Sequence, residues 1–183
     1  MEVKIEKIVK HERKKNRYVI LLEDGTSREL VDEILLKFGL RSGDLIDEKR
    51  LDEIFSSSLF LEAKNSALRL LARRMRSEKE ISDKLKQKGF DEPTINLVLT
   101  EMKRIKLIDD EDYTKRFISD SISIKKPYGK MALLKKLQFR GIDKRSAQEN
   151  LSEMISFDDE VKLASDLGRS EERRVGKECR SRW

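Results

Sequence analysis

Nine basic side chains form two groups that could bind phosphate or carboxylate. One group is Arg69, Arg73, Arg74 and Arg76, and the other is Lys126, Lys130, Lys135, Lys136 and Arg140. Arginine presents a planar fork of donors that suits both anions, whereas lysine acts as a point charge. The first group is expected on one face of a helix, where it is either solvated or in contact with a partner. All nine are candidates for contact with DNA or with an acidic protein surface.

The acidic cluster Asp109, Asp110, Glu111 and Asp112 could resemble a calcium loop. Calcium loops alternate oxygen ligands with a glycine turn and a distant glutamate, and that spacing is missing here. Carboxylates also suit the start of a helix, because they accept hydrogen bonds from its free amides and oppose the positive end of its dipole. We therefore expect a helix start at this cluster and no metal.

Catalytic patterns are scarce in this sequence. Its one histidine, His11, lies in the polar segment 11–17. A Ser-His-Asp or Cys-His catalytic arrangement therefore cannot exist outside that segment. Phosphate-binding glycine loops and Cys/His metal patterns are absent as well. We predict a protein that acts by binding, without cofactors. A hydrolase that uses the paired aspartates remains as an enzymatic alternative, which would require metal-dependent turnover.

An internal repeat must position these side chains. The sequence LKQKGFD at 85–91 returns as LQFRGID at 137–143, an offset of 52 residues, and Ile81 matches Leu133 at the same offset. A repeat of this length indicates stacked supersecondary units. We predict tandem three-helix repeats.

Each copy reads as a helix, a glycine that ends it, and a second helix. Gly89 can adopt the left-handed conformation of a helix end, and Phe90 would then pack back on Leu85. The second copy repeats this arrangement with Gly141, Ile142 and Leu137. A loop is expected around Gly129, before the helix that bears most of the second basic group.

Capping residues mark where these helices begin. Ser77 and Glu80, three residues apart, form a capping box, in which each side chain bonds the backbone amide of the other residue. Asp91 and Asp143 occupy the position where a side-chain oxygen caps the next helix. These local signals support the three-helix unit.

The N-terminal region carries the strand pattern of the chain. Val3 and Ile5, and later residues 18–22, read as strands, and Asp24 with Gly25 indicates a hairpin. The basic run between the strands is either an exposed hairpin loop or a contact for nucleic acid or a partner.

Helical spacing follows the hairpin. The apolar positions that predict this helix are Leu30, Val31, Ile34, Leu35 and Phe38, with Gly39 as its end. A short segment at 45–46 completes a small cap that contains the β-hairpin. From Asp47 onward the pattern is helical, with one long helix that could kink near residues 56–58.

We predict a mainly α fold in five parts. They are a small α+β region at 1–47, repeat 1 at 48–108, repeat 2 at 109–156, the start of a truncated repeat 3 at 157–168, and a tail at 169–183. The tail lacks apolar periodicity and is interpreted as non-native. It holds six of the basic and three of the acidic residues, so without it the net charge falls from +6 to +3. A nearly balanced body argues against a protein that coats DNA.

No apolar run approaches the roughly 18 residues that cross a membrane. Charged residues also interrupt the N-terminal segment before a signal peptide could form. We expect a cytoplasmic protein without membrane contact, and we expect a monomer. The single cysteine excludes an internal disulfide framework.

At these motifs the chain resembles the RecX family of RecA modulators. The likeness extends from about residue 59 to residue 167. The segments that carry it are 67–77, Leu85 with 88–90, 107–110 before Tyr113, and 126–130 followed by Leu137 and 140–142. Residues 1–58 are similar to the extra N-terminal region of some longer members.

The resemblance implies tandem three-helix repeats in an elongated, curved array, which lies in the groove of the RecA filament on single-stranded DNA. It also implies inhibition of filament growth, ATP hydrolysis, strand exchange and co-protease action, within DNA repair and the SOS response. Direct but weak DNA contact is compatible with it. The second interpretation is a helical protein that binds DNA alone, because three-helix units with a glycine turn resemble helix-turn-helix modules.

Overall fold

The computed structural model describes residues 2–123 and 128–155. Its strands are β1 (Glu2–Lys10), β2 (Arg17–Leu22), β3 (Ser27–Val31) and β4 (Leu45–Asp47). Its helices are α1 (Asp32–Phe38), α2 (Glu48–Leu71), α3 (Glu78–Gln87), α4 (Glu92–Arg104), α5 (Asp110–Ile122), α6 (Lys130–Phe139) and α7 (Lys144–Met154). The mainly α fold with a small N-terminal β region is confirmed. None of the helices described is long and apolar enough to cross a membrane.

The chain divides into two compact units. Unit 1 comprises the described residues up to 74 together with 82–104, and unit 2 comprises 75–81 with the described residues from 105 onward. The sheet, α1, α2 and α4 belong to unit 1, whereas α5, α6 and α7 belong to unit 2. Helix α3 contributes its first turn to unit 2 and the rest to unit 1.

Unit 1 is built on a four-stranded antiparallel sheet in the order β3-β2-β1-β4. Alternate residues point into its core, where Ile5, Ile20, Leu30 and Ile54 are fully buried. The hairpin between β2 and β3 lies at the position that the sequence predicts. The Asp24 carboxylate accepts a hydrogen bond of 2.8 Å from the Thr26 amide in this turn.

The predicted helix around residue 34 was wrong at its start. Leu30 and Val31 belong to β3, where they pair with Tyr18 and Arg17, and α1 begins only at Asp32. Both residues are apolar and partly or fully buried, so their spacing fits a helix as well as the end of a strand. Both residues form strand pairs with β2, and a pattern of apolar spacing within one segment does not reveal such pairing. This pairing makes residues 30 and 31 part of a strand.

Helix α2 runs through residues 56–58 without interruption. Ser58 is buried, and its hydroxyl accepts a hydrogen bond of 3.0 Å from the Val31 amide of β3. The serine therefore satisfies a backbone group of the sheet and does not break the helix. The carboxylate of Asp47 caps the start of α2 by accepting from the Lys49 amide.

The two glycine helix ends that the repeat predicts are confirmed. Gly89 has φ = 87° and Gly141 has φ = 89°. The Phe90 amide donates to the Leu85 carbonyl at 3.3 Å, and the Ile142 amide donates to the Leu137 carbonyl at 3.1 Å. Helices α3 and α4 thus correspond to α6 and α7, as the repeat predicts.

The predicted helix starts are confirmed at three places. The Ser77 amide donates to the Glu80 carboxylate, and the Glu80 amide donates to the Ser77 hydroxyl, both at 3.3 Å. Asp109 accepts from the amides of residues 111 and 112 at the start of α5. Asp143 accepts from two amides at the start of α7. Asp91 accepts from the Ile95 amide through its backbone carbonyl, which is the position of an N-cap residue.

The core of unit 2 lies between α5, α6 and α7. Its fully buried side chains include Ile118, Leu133 and Leu137, and Met75 packs against them. The predicted third repeat and the tail, 157–183, lie outside the described residues, as does Lys126.

Candidate protein and nucleic-acid interface

The first basic group does not lie on one helix face, and that prediction was wrong. Arg69 is in the last turn of α2, where its Nε donates to the Asn65 carbonyl at 3.1 Å. Arg73, Arg74 and Arg76 follow the end of the helix, in the segment that leads to Ser77. Arg73 and Arg74 are exposed, whereas Arg76 is half-buried.

Lys130, Lys135 and Lys136 of the second basic group lie on α6, which begins after Gly129 as its N-cap residue. Lys135 is exposed, and Lys130 and Lys136 are half-buried. The Lys136 ammonium lies 3.0 Å from the centroid of the Tyr128 ring. Its hydrogen bond to the tyrosine lowers the pKa of Tyr128, because a nearby cation favours the phenolate.

The Arg140 side chain makes its contacts within unit 2. Its guanidinium lies 4.4 Å from the centroid of the Phe117 ring on α5. One of its terminal nitrogens donates to the Lys136 carbonyl at 3.3 Å, and its Nε lies 4.0 Å from the Glu80 carboxylate. These contacts join α6 to α5 and to the start of α3, so the side chain contributes to packing.

Two exposed apolar side chains accompany the lysines of α6. Met131 and Phe139 are 68% and 81% exposed. They lie four residues before and four residues after Lys135, so the three side chains share one face of the helix. We call Met131, Lys135 and Phe139 the α6 face. Lys79 adds a further cation, since its ammonium lies 5.6 Å from the centroid of the Phe139 ring.

Sequence reasoning missed Met131 and Phe139 because it counted only the charged residues of α6. A signal was present, since α6 has six apolar residues among ten, more than one buried face requires. Only Leu133, Leu134 and Leu137 are buried among its large apolar residues.

The α6 face combines apolar area with positive charge. Exposed methionine and aromatic side chains are typical of protein interfaces, and lysines beside them favour a partner with acidic groups. Phosphate contacts alone would require no such apolar side chains. Across the described ranges, no group of histidine, cysteine and carboxylate side chains is placed to hold a metal ion.

The basic loop between β1 and β2 is exposed, as one of the two sequence interpretations expects. Within it, Nδ1 of His11 accepts from the amides of Arg13 and Lys14 at 3.1 Å. The Lys14 ammonium and the Arg17 guanidinium bind the Glu29 carboxylate of β3 at 2.7 and 3.0 Å. The bond from Lys14 in particular lowers the pKa of Glu29.

Comparisons with known proteins agree on one family. The family model described as "RecX, first three-helix domain" matches residues 63–102. The regulatory protein RecX of Finegoldia magna is 33% identical over 152 residues, which cover 83% of this chain and 74% of that protein. The regulatory protein RecX of Clostridium perfringens is 30% identical over 85% of this chain and 72% of its own length.

Solved structures give the same result for the fold. A crystal structure of regulatory protein RecX has a TM-score of 0.69 and 26% identity, over 96% of this chain and 85% of that chain. The crystal structure of RecX from Lactobacillus salivarius has a TM-score of 0.58 at 21% identity, over 66% of this chain and 77% of that chain, and this likeness concerns the fold alone. With the motifs of α3, α5 and α6 in the predicted order, and with 33% identity over 74% of a curated relative, the chain belongs to the RecX family.

Proposed function

We propose that this chain regulates the RecA recombinase by binding the RecA filament on single-stranded DNA. Membership of the RecX family, whose curated members are named regulatory proteins, carries this proposal. Regulation of this kind needs a binding surface and no catalytic site. The expected effects are inhibition of filament growth, ATP hydrolysis, strand exchange and co-protease action.

The α6 face is the part of unit 2 that we assign to this contact. Phe139 is more than four-fifths exposed, and burial of an aromatic ring in an interface contributes strongly to affinity. Lys135 and its neighbour Lys136 supply positive charge for acidic groups of the filament. Arg140 is left out of the contact set, because its guanidinium is already bound within unit 2.

The arginines of unit 1 form a second proposed contact. Arg73 and Arg74 lie in the exposed segment that follows α2, within reach of a partner or of DNA. Arginine is suited to both, because its fork of donors matches carboxylate and phosphate. Arg69 and Arg76 are retained as weaker candidates.

The test is the ATPase rate of RecA on single-stranded DNA, titrated with wild type and with a Lys135→Glu, Phe139→Ala variant. We expect the variant to need a concentration about tenfold higher for equal inhibition, since it loses an aromatic anchor and reverses a charge. Lys144→Glu, an exposed substitution on α7, is the matched control and should inhibit as wild type does.

Two outcomes would contradict different parts of the proposal. Equal inhibition by a correctly folded double variant would remove the α6 face from the contact. No effect of the wild-type chain on the ATPase at any concentration would contradict RecA regulation itself. Binding to single-stranded DNA without RecA, measured at two salt concentrations, separates the alternative of autonomous DNA binding, which predicts a steep salt dependence.

A further inference from the structure

A cleft in unit 1 lies between β3 and α2 and is separate from the α6 face. Its volume is about 330 Å³. Phe55 and Leu59 of α2 supply its apolar lining, and Arg17, Arg28, Glu29 and Glu62 surround it with charge. Leu59 remains 38% exposed within it. We call this feature the β3 cleft.

The cleft lies along an open edge of the sheet. β3 is the terminal strand, so only one of its sides pairs with β2. The Asp32 amide, just after β3, points toward β2 and donates to the Asn16 carbonyl at 3.1 Å. The Val31 amide points the other way and donates to Ser58 of α2.

The backbone direction alternates along a strand, so the amides of Ser27 and Glu29 point to the same side as that of Val31. Helix α2 satisfies the amide of Val31 through Ser58. No segment in the described part of the chain pairs as a strand with the outer side of residues 27–29. A stretch of edge backbone therefore borders the cleft and can accept another strand.

The charged side chains of the cleft differ in whether they form ion pairs. Arg17 binds both carboxylates, Glu29 at 3.0 Å and Glu62, and Lys14 also binds Glu29. Arg28 lies over the Phe55 ring, with its guanidinium carbon 4.8 Å from the ring centroid, and forms no ion pair with the described residues. The acidic groups of the cleft are thus paired with basic side chains. In the described part of the chain Arg28 has no such pair, and the only charge interaction that the structure records for it is with Asp24, whose pKa is lowered mainly by Thr26 and least by Arg28.

We propose that the β3 cleft binds an extended acidic segment of a partner protein, which adds a strand to the edge of β3. The backbone of this segment would pair with residues 27–29, and an apolar side chain would lie on Phe55 and Leu59. A carboxylate of the segment would form a forked ion pair with Arg28. This inference does not depend on the proposed RecA regulation.

A peptide is favoured over a nucleic acid because the cleft borders the open edge of β3. Strand addition requires a partner with alternating amide and carbonyl groups, which a nucleic acid lacks. The binding assay includes both kinds of ligand.

The experiment measures fluorescence anisotropy of labelled ligands with the full wild-type chain. The probe is a short synthetic peptide that alternates aspartate with leucine. Its controls are the same peptide with lysine in place of aspartate, the acidic peptide with alternate amides N-methylated, and a single-stranded oligonucleotide. We expect binding of the unmethylated acidic peptide, and at least about tenfold weaker binding of both modified peptides, because each lacks one of the required interactions.

Two protein variants locate the site. Arg28→Glu should weaken binding of the acidic peptide about tenfold or more, whereas Arg50→Glu makes the same change in net charge outside the cleft and should leave it unaltered. Thermal melting by circular dichroism verifies that both variants are folded. Equal binding of the N-methylated peptide, or equal losses in the two variants, would overturn the proposal. If Arg28→Glu loses binding of the oligonucleotide and Arg50→Glu does not, the cleft is assigned to nucleic acid instead. If Arg28→Glu does not fold, the comparison of the three peptides on the wild-type chain still tests the proposal.

Discussion

The hydroxyl of Ser77 donates a 2.6 Å hydrogen bond to the backbone carbonyl of Arg140, 63 residues later in the chain. Carbonyls at the end of a helix lack helical partners, and Arg140 follows the last residue of α6. Lys79 satisfies the neighbouring Phe139 carbonyl at 3.1 Å. Since Ser77 also caps α3, one buried side chain joins the start of a helix in the first repeat to the end of a helix in the second.

Ser77→Ala should destabilise the protein by about 2 kcal/mol, because it removes a helix cap and leaves a carbonyl without its donor. The free energy of unfolding, measured by urea denaturation, tests this. Ser56→Ala, an exposed serine in the middle of α2, is the control and should change stability by less than about 0.5 kcal/mol. Similar values for the two variants would mean that the Arg140 carbonyl finds another donor, such as water.

Gly89→Ala and Gly141→Ala should differ although their φ angles are nearly equal. At Gly89 a Cβ atom would meet nothing within 4 Å, so the substitution costs about 1 kcal/mol for its left-handed conformation. At Gly141 a Cβ atom would lie 2.5 Å from the Cβ of Lys79, so we expect an additional loss of about 1 to 3 kcal/mol.

The same comparison has an internal control. Lys79→Gly removes the clashing atom, so Gly141→Ala should cost less in that background than in wild type. The measurement is a double-mutant cycle of unfolding free energies. A cost that does not depend on Lys79 would show that the backbone conformation alone accounts for the effect at Gly141.

Arg140→Ala and Lys135→Ala compare a basic side chain that packs within unit 2 with one that is exposed. Arg140→Ala loses the contact with Phe117 and should cost about 1 to 2 kcal/mol. Lys135→Ala removes an exposed side chain and should change stability by less than about 0.5 kcal/mol. Thermal denaturation of both variants tests the assignment, which would be wrong if they melted at the same temperature.

Glu29→Gln should make the free energy of unfolding less dependent on pH in the acidic range. The pKa of Glu29 is lowered in the folded protein, chiefly by Lys14, so the carboxylate stabilises the fold above its ordinary value of 4.5. That contribution is lost as the pH falls through the lower folded value. We therefore expect the stability difference between wild type and Glu29→Gln to narrow below this range, measured by urea denaturation at several pH values. Glu12→Gln, in the exposed loop between β1 and β2, makes the same change in charge and is the control; an equal narrowing in that variant would contradict the assignment to Glu29.

Local features of this protein could be predicted from sequence because their partners are close in the chain. The capping box joins Ser77 to a residue three positions away, and the Gly89 helix end joins Leu85 to a residue five positions away. Such signals need no knowledge of the rest of the fold. The repeated copy at Gly141 strengthened them, and together they identified the three-helix unit and the family.

For residues whose partners are distant in the chain, only the tertiary structure determines the secondary structure and the degree of burial. Leu30 has a spacing that suits a helix, and its pairing with Tyr18 makes it part of a strand. Arg140 matched the other basic residues of α6 in type and spacing, and its contact with Phe117 places it inside unit 2. Phe139, by contrast, is an apolar residue that no other element in the described part of unit 2 buries. Charge and hydrophobicity are properties of each residue, whereas burial depends on which distant segments pack around it, and for this reason the α6 face and the β3 cleft emerged only from the folded chain.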